Sequence, residues 1–379
     1  MSEPMRIIIL TEYYPHSERG ELTGGVEARS FFLSQLLARR HDVTVIASWR
    51  EGFHREHMVG PVRVIRPGPH HPYTNTGAIR SRLGYARAAY KAAVALGKAD
   101  VVDACCFIAY LPGYWAARRV GAKAVATYHE VWVGSWIRNK GLITGTLGSL
   151  WEHAALRKKW DAFIAVSQAT ARCLVRAGID PSKVHVVYNG ADLETLAGVP
   201  AGLPVPGSIC IISRLVRYKR LDTFINALSI LRRRHPELYQ RTSCNIIGTG
   251  SDEAYLKGLA ARSDVAEKLV FRGHVERYQT VIRTIKESSL VVHPSSLEGF
   301  GIVLVEACAC GRPFLASDIE VFREISQALR GGRLFPVGDA HALADELAAF
   351  LGGNEIPVGS AETFDWSRLA EKVEEVYRK

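Results

Sequence analysis

The sequence has no apolar run long enough to cross a membrane. A transmembrane helix needs about 20 consecutive apolar residues. The uncharged apolar stretch ACCFIAYLPGYWAA at 104–117 is shorter and is interrupted by Pro112 and Gly113. The opening residues, MSEPMRIIIL, lead directly into a strand-like run without the basic segment, apolar core and cleavage site of a secretion signal. We therefore expect a cytoplasmic protein.

Cysteine is scarce and irregularly spaced. The seven cysteines stand singly apart from Cys105-Cys106 and Cys308-x-Cys310, and an odd number without a regular framework argues against disulfides. A lone Cys-x-Cys pair is poor support for zinc, because structural zinc sites use four ligands. The sequence therefore predicts reduced, mostly buried thiols.

Neither internal repeats nor low-complexity segments occur, and the charge is uneven. The 379 residues are 47% hydrophobic and 23% charged, which is typical of a globular protein long enough for two domains. Residues 1–200 hold 25 Lys and Arg against 16 Asp and Glu, and the remainder holds 23 against 22, so nearly all of the net charge of +10 lies in the first half. This asymmetry suggests an anionic partner for that half.

Short apolar runs alternate with amphipathic stretches, a pattern typical of parallel sheets covered by helices. The predicted strands of the first half are 6–10, 43–48, 124–129, 163–167 and 184–189, and those of the second half are 208–213, 244–248, 269–273, 290–294, 313–317 and 333–337. Between the halves, GVPAGLPVPG at 198–207 has the composition of a linker. We predict two Rossmann-like α/β domains, which would bind a ligand in the cleft between them, beyond the carboxyl ends of their strands.

Cations and small residues follow the first strands of the second half. Arg214 and Lys219 lie in RLVRYKRLD, a loop that opens a helix, and suit a pyrophosphate because Arg can bind it with two hydrogen bonds and Lys adds a point charge. A solvated basic turn is the alternative. The turn GTGS, with Gly248 and Gly250, would let a ligand approach the backbone, although many such turns only connect a strand to a helix.

The stretch LEGFGIVLVE at 297–306 combines two carboxylates with a glycine turn. A glycine-flanked helix start is an anion site, because its free N–H groups and dipole favour phosphate. Glu298 would lie at the mouth of this loop, and Glu306, one turn into the apolar helix, could accept hydrogen bonds from a ribose diol. Alternatively, Glu306 pairs with a buried Arg or reaches solvent. Since all these residues follow successive strands of one predicted sheet, we interpret them as a sugar-nucleotide site.

This constellation resembles the retaining glycosyltransferases of the GT-B fold, family four, over nearly the whole chain. The match is most specific in SSLEGFGIVLVEACACGRPFLASDI. The resemblance implies that Glu306 holds the ribose diol and that Glu298 lies beside the donor sugar hydroxyls. It further implies that Arg214 and Lys219 bind the diphosphate. The residues whose backbone would meet the donor sugar, phosphate or base are Gly299, Phe300, Gly301 and Ile302, and Arg272, Gly273 and Val275.

The first half carries the same resemblance. LTGGVEARS is similar to the family's glycine loop, in which Gly24 and Gly25 would approach the diphosphate and acceptor. His129 in TYHE resembles a histidine that faces the donor sugar, although a lone His is more often structural. The ending FDWSRLAEKVEEVYRK resembles a final helix that returns to the first domain. The implied domains are residues 1–198 (acceptor side), 199–362 (donor side) and 363–379 (the returning helix).

The resemblance also implies chemistry without a metal or other cofactor, and no Asp-x-Asp pair occurs. Cations and helix-end amides would stabilise the leaving diphosphate, and transfer on the front face with retained configuration is the expected mechanism. Other reactions on this architecture remain open, namely a phosphorylase or a sugar-nucleotide epimerase, as does a nucleotide-sugar-binding regulator without activity. We expect a UDP-sugar donor, with a GDP-sugar as the second choice.

The acceptor is less defined. Basic stretches at 80–91 and 157–160, with Trp132, Trp136, Trp151 and Trp160, suit a lipid-linked or glycan acceptor and an anionic membrane surface. A solvated basic face with the tryptophans in the core is the alternative. Nucleic acid is not expected, because no nucleic-acid-binding module accompanies the charge.

Overall fold

The computed structural model describes residues 3–17, 22, 24–73 and 78–379. By its internal contacts, the chain divides into two compact units. The first comprises Met1–Asn189 and Trp366–Lys379, and the second comprises Gly190–Asp365. The boundary at 189/190 precedes the composition-based one at 198/199, because the short helix Leu193–Gly198 packs within the second unit.

A predominantly parallel sheet of eight strands forms the centre of the first unit. In chain order the strands are β1 (Arg6–Leu10), β2 (Asp42–Ile46), β3 (Glu56–Val59), β4 (Val62–Ile65), β5 (Val101–Ala104), β6 (Lys123–Tyr128), β7 (Ala162–Ala165) and β8 (Val184–Val186). Across the sheet their order is β3-β4-β2-β1-β5-β6-β7-β8, and only the β3–β4 hairpin is antiparallel. All five predicted runs form strands, whereas β3, β4 and β5 were not predicted.

Helices cover both faces of this sheet. They are α1 (Gly25–Leu37), α2 (Ile79–Ala95), α3 (Tyr110–Val120), α4 (Trp136–Lys140), α5 (Leu142–Leu156) and α6 (Gln168–Arg176). Successive side chains of a strand point to opposite faces, and β1 shows the result directly. Ile8 and Leu10 belong to one apolar core, and Ile7 and Ile9 belong to another. A strand buried on both faces therefore reads as the unbroken run RIIIL.

The second unit is built on six parallel strands. They are β9 (Val205–Ile212), β10 (Ser243–Ile247), β11 (Leu269–Gly273), β12 (Ser288–His293), β13 (Phe314–Ser317) and β14 (Arg333–Phe335), in the order β11-β10-β9-β12-β13-β14. The helices are α7 (Leu193–Gly198), α8 (Leu221–Arg234), α9 (Pro236–Gln240), α10 (Glu253–Arg262), α11 (Tyr278–Glu287), α12 (Ile302–Ala309), α13 (Glu320–Leu329) and α14 (Ala340–Leu351). All six predicted strands are confirmed.

The strand order of the second sheet has a switch point at β9. From β9 the chain moves outward through β10 and β11, then returns to the other side of β9 with β12, β13 and β14. Loops that leave the carboxyl ends of the two strands at such a point diverge and open a crevice, where ligands of open α/β sheets bind. The residues that follow β9 and β12 therefore occupy the position expected of a binding site.

The last helix, α15 (Trp366–Arg378), belongs to the first unit and packs on α1. Its Tyr377 hydroxyl donates to Asp103 Oδ2 at 2.6 Å, and the Thr127 hydroxyl donates to the same carboxylate at 2.9 and 3.0 Å. Burial raises the pKa of Asp103, although these hydrogen bonds and the nearby Arg29 oppose the shift. No helix among residues 3–17, 22, 24–73 and 78–379 has the length and apolarity needed to span a bilayer.

Candidate functional site

Two loops meet at the switch point of the second sheet. The loop after β9 carries Arg214 and Lys219, and the loop after β12 carries Glu298. Ser296 joins them, because its backbone N–H and its hydroxyl donate to the Tyr218 carbonyl at 2.8 and 3.0 Å. The predicted cations and the first predicted carboxylate are thus brought together.

Glu298 is the charged centre of this site. Its Oε1 accepts a hydrogen bond from Lys219 Nζ, lies 2.7 Å from His293 Nε2, and accepts from Ser295 Oγ at 3.3 Å. Burial favours the neutral acid, but Lys219 and His293 outweigh it and hold the pKa of Glu298 well below its usual range. Glu298 is therefore an ionised carboxylate that can accept hydrogen bonds and cannot serve as a general acid at neutral pH.

Arg214 lies beside the same aromatic side chain as Lys219. Its guanidinium donates to the Tyr218 hydroxyl and lies 5.7 Å from the Tyr218 ring centroid, and Lys219 Nζ lies 5.4 Å from that centroid. Of the two interpretations left open by the sequence, the solvated turn does not apply to Lys219, because its side chain is only 8% exposed.

Glu306 is buried within α12 and has a tyrosine partner. The Tyr278 hydroxyl, at the start of α11, donates to Glu306 Oε1 at 2.5 Å. Burial raises the pKa of Glu306, and the hydrogen bond from Tyr278 only partly offsets this. Neither alternative for Glu306 applies, since its partner is a hydroxyl rather than an arginine and only 7% of the residue is exposed.

His293 and Tyr278 are site residues that sequence reasoning missed. His293 ends β12, a position that could have marked it because the carboxyl ends of parallel strands line such sites. Its Nδ1 is buried, and no described residue forms a hydrogen bond with it. Tyr278 gave no comparable signal, because it and its partner Glu306 lie on different helices and are 28 residues apart in the chain.

Three glycines of this unit are required by close packing. A Cβ on Gly248 would lie 2.0 Å from the Ser213 carbonyl oxygen, and one on Gly250 would lie 2.1 Å from that of Leu215. Gly301 precedes α12 with φ +99°, where a Cβ would also meet the Phe322 ring at 2.6 Å. Packing within the protein therefore requires glycine at these turns, whether or not a ligand binds there.

The remaining residues predicted around the donor occupy two neighbouring segments. At the end of β11, Arg272 is exposed and donates to Asn245 Oδ1 at 2.9 Å, Gly273 has φ +67°, and Val275 is half-buried.

At the start of α12, Gly299 is buried and the Phe300 ring packs against Phe364 at 5.8 Å between centroids. No side chain caps the helix, whose first residue is Ile302. An uncapped helix start leaves backbone N–H groups for an anion.

In the first unit, His129 directly follows β6. Among the residues that the structure describes, the buried Nε2 has no hydrogen-bond partner. Burial together with the nearby Arg29 lowers the pKa of His129 to about 3, although a hydrogen bond with the Cys105 backbone opposes the shift. His129 is therefore a neutral imidazole at physiological pH. Arg29 itself donates to the carbonyls of Val187 and Tyr188 at 3.0 and 2.7 Å.

The glycine loop of the first unit leads into α1. Gly24 is its N-cap in extended conformation (φ −173°), Gly25 is its first residue, and both are exposed. No side chain in the described part of the chain caps this helix either. It thus offers backbone donors after β1, whose neighbours β2 and β5 make it the switch point of the first sheet.

All seven cysteines are free thiols, and six of them are buried, as predicted. Within the part of the chain that the structure describes, no group of three or more His, Cys, Asp or Glu side chains is arranged to hold a metal ion. Absence of metal from the reaction stays a prediction.

Two family models match consecutive parts of the chain. Residues 23–195 match the model described as "Glycosyltransferase Family 4", and residues 206–358 match "Glycosyl transferases group 1". The matches coincide with the first and second units and leave only the segment between them and the chain ends unmatched.

Individual proteins with similar sequences agree with these family matches. A D-inositol 3-phosphate glycosyltransferase of Streptomyces coelicolor is 30% identical over 258 residues, which are 59% of this chain and 55% of that protein. A glycogen synthase of Mycobacterium tuberculosis is 27% identical over 338 residues, 83% of this chain and 78% of that protein. The matched stretch spans about half or less of the inositol-phosphate enzymes.

Among solved structures, Anabaena HepE in complex with UDP and glucose aligns with 99% of this chain and 100% of its own, with a TM-score of 0.73 and 18% identity. At this identity the likeness shows the fold alone.

Proposed function

The chain belongs to the glycosyltransferases of family four and group 1, with the GT-B fold, and from this premise we propose that it is a retaining hexosyltransferase. It would move a hexose from a nucleotide-diphosphate sugar to an acceptor hydroxyl. The observation that carries the proposal is the Lys219–Glu298 pair at the switch point of the second sheet, beside the uncapped start of α12.

The donor would bind to the second unit. Arg214, Lys219 and the N–H groups at the start of α12 supply positive charge for a diphosphate. Glu306, four residues further into the helix, supplies acceptors for the ribose diol. A UDP-sugar is the first choice, supported by the complex of Anabaena HepE with UDP and glucose, and a GDP-sugar is the second.

Catalysis would rest on electrostatic stabilisation of the departing diphosphate. The bond from the anomeric carbon to the phosphate oxygen breaks, the acceptor oxygen bonds to the same face of that carbon, and the acceptor proton passes to the departing phosphate. Lys219 and Arg214 would meet the charge that develops there, so that no metal is required. Glu298, ionised and held by Lys219, would accept hydrogen bonds from the sugar hydroxyls and orient the ring.

His129 would contribute as a neutral imidazole from the first unit. Because none of the described residues forms a hydrogen bond with its Nε2, a sugar hydroxyl could form one there without displacing such a group. Gly24 and Gly25 would offer backbone donors to the diphosphate and the acceptor.

The acceptor would be lipid-linked or a glycan. Relatives in the family include an inositol-phosphate glycosyltransferase and a glycogen synthase, so the family accommodates both small phosphorylated and polymeric acceptors. The excess of cations in residues 1–200 suits an acceptor that carries phosphate and a peripheral position on an anionic membrane surface.

A thermal-shift screen of UDP, GDP, ADP and their hexose conjugates, without added metal, tests the proposal. A ligand that binds only the folded protein stabilises it by about 2.7 kcal/mol at a hundredfold excess over its Kd. One nucleotide should raise the Tm, and its hexose conjugate should raise it further.

Product analysis then separates the competing reactions. Transfer requires an acceptor, an epimerase would isomerise the donor alone, and a phosphorylase would require inorganic phosphate. A well-folded sample that responds to none of the nucleotides would overturn the proposal, and one that binds donor without transfer or hydrolysis would be a regulator.

A further inference from the structure

The four tryptophans between residues 132 and 160 do not form a membrane-facing surface. Trp136 and Trp160 are 9% and 1% exposed. The Trp151 indole N–H donates to the Phe107 carbonyl at 3.0 Å, and the indole packs against the Phe107 ring. Trp132 is half-buried against Trp136. Their indoles stabilise the fold, so a surface that contacts membrane must be made by other side chains.

The outer side of α4 and α5 exposes large aliphatic side chains instead. On α5, Leu142, Ile143, Leu147 and Leu150 are 71%, 77%, 50% and 63% exposed, and on α4 Ile137 is 52% exposed. At 3.6 residues per turn, the four α5 positions fall within an arc of about 140°. We call these five residues the aliphatic face.

Packing fixes which side of α5 points outward. A Cβ on Gly145 would lie 2.6 Å from the Ile137 backbone, and one on Gly148 would lie 2.5 Å from the Trp136 ring, so only glycine lets the two helices approach this closely. Glu152 is buried on the same side and accepts from Trp132 N at 3.0 Å and Trp136 Nε1 at 2.7 Å. The aliphatic face is therefore held outward by a well-packed inner side.

The segment that forms this face, residues 131–160, is rich in cations and lies between Glu130 and Asp161. Residues 131–160 contain the cations Arg138, Lys140, Arg157, Lys158 and Lys159, and their only carboxylate is Glu152, which is 1% exposed. A helix about 22 Å long with an exposed aliphatic side and cations beyond its ends offers apolar area for the acyl boundary and positive charge for lipid phosphates.

We propose that the aliphatic face of α4 and α5 is the site at which the protein inserts into an anionic lipid bilayer. The leucine and isoleucine side chains would enter the acyl boundary, and Arg138 and Arg157 would contact lipid phosphates. This inference rests on the proposed function for its purpose, because it brings the first unit to a lipid-linked acceptor. The binding itself requires neither donor nor acceptor.

Co-sedimentation of the full chain with vesicles tests this. Vesicles of phosphatidylcholine with about 30% phosphatidylglycerol should pellet the protein at low salt, and pure phosphatidylcholine vesicles should pellet much less. Leu142→Ser with Ile143→Ser should weaken binding at least about tenfold, as should Leu147→Ser with Leu150→Ser. Leu203→Ser in the second unit is the matched control, since that leucine is 89% exposed and lies outside the face.

Charge substitutions separate insertion from simple attraction. Arg138→Gln with Arg157→Gln should weaken binding about fivefold per charge at low salt and have little effect at high salt. Wild-type protein that stays in the supernatant with anionic vesicles would overturn the proposal, as would aliphatic variants that bind like wild type. A concentration-dependent dimer that these variants abolish, without vesicle binding, would assign the face to a second copy of the chain instead.

The variants also keep this test independent of the proposed function. Because the substituted side chains are exposed, their Tm should match that of wild type, and the nucleotide-induced shift in Tm, measured without vesicles, should be unchanged. If nucleotides do not shift the Tm of wild type, the glycosyltransferase proposal is contradicted, but the vesicle result remains valid.

Discussion

Replacing Glu306 should separate donor affinity from stability. Tyr278 occupies one lone-pair site of the Glu306 carboxylate, which leaves acceptors for two ribose hydroxyls. Hydrogen bonds to a charged group contribute about 1.5–3 kcal/mol, so Glu306→Ala should weaken binding of a nucleoside diphosphate by about 2 kcal/mol, or about 30-fold in Kd. Glu306→Gln should lose less, because its amide oxygen can still accept.

Replacing Glu306 with glutamine should not destabilise the free protein at neutral pH. Burial raises the pKa of Glu306 above its value in the unfolded chain. A group with a raised carboxyl pKa stabilises the fold below its unfolded pKa, and this stabilisation is lost as pH rises through the folded pKa. Glutamine carries no charge to bury, so the Tm of Glu306→Gln at pH 8 should equal or exceed that of wild type.

Calorimetric titration with the best-binding nucleoside diphosphate and its 2′,3′-dideoxy analogue provides the measurement. Wild type should prefer the natural ribose by about 30-fold, and Glu306→Ala should bind both alike. Glu355→Ala, an exposed carboxylate of the second unit, is the control and should keep the preference. A Glu306→Ala protein that still discriminates between the two ribose forms would falsify the assignment of this carboxylate to the diol.

Three further predictions concern turnover, pH and packing. Glu298→Gln should lower kcat by about a hundredfold while changing nucleotide Kd much less, in steady-state kinetics beside calorimetry; equal turnover would refute its sugar-side role. The depressed pKa of His129 stabilises the fold above pH 6.5, and the free energy of unfolding should fall by about 1.4 kcal/mol per pH unit below it. Between pH 7 and pH 5, urea unfolding should show a smaller decrease in the free energy of unfolding for His129→Asn than for wild type. An equal decrease in both proteins would contradict this prediction. Gly250→Ala places a Cβ 2.1 Å from the Leu215 carbonyl oxygen and should lower the free energy of unfolding by about 1–3 kcal/mol, whereas Gly202→Ala, whose Cβ meets an atom only at 3.7 Å, should leave it nearly unchanged.

The apolar pattern predicted the strands whose sequences are continuous apolar runs. RIIIL in β1, LVVH in β12 and FLAS in β13 are buried on both faces, so their sequences read as continuous apolar runs. The strand β5, VVDA, was missed because its third residue is Asp103, and burial of that carboxylate depends on Tyr377, 274 residues further along the chain. The β3–β4 hairpin was missed because β3, EHMV, has few apolar residues and Arg63 interrupts β4. A long-range partner, which no local pattern contains, decides the case of β5.

The candidate site divides in the same way. Parallel strands bring their carboxyl ends to one edge of the sheet, so the convergence of Lys219 and Glu298 could be predicted from their positions after two strands. The contributions of His293 and Tyr278 could not, because they depend on which side chains the packed helices and loops bring within hydrogen-bond distance. The burial of Trp136 and Trp160 was likewise decided by tertiary packing rather than by their spacing.

The second unit begins and ends at one place. Ala191 and Asp365 form an isolated bridge, and Ala191 N–H donates to the Phe364 carbonyl at 2.9 Å. In genetic terms, the second unit is an insert whose termini are already joined by hydrogen bonds. Residues 190–365 could therefore be expressed without the rest of the chain, or circularised with a short linker, to study the nucleotide half alone. The first unit lacks this independence, because a fragment that stops at Asn189 would lose α15 and leave Asp103 buried without its tyrosine.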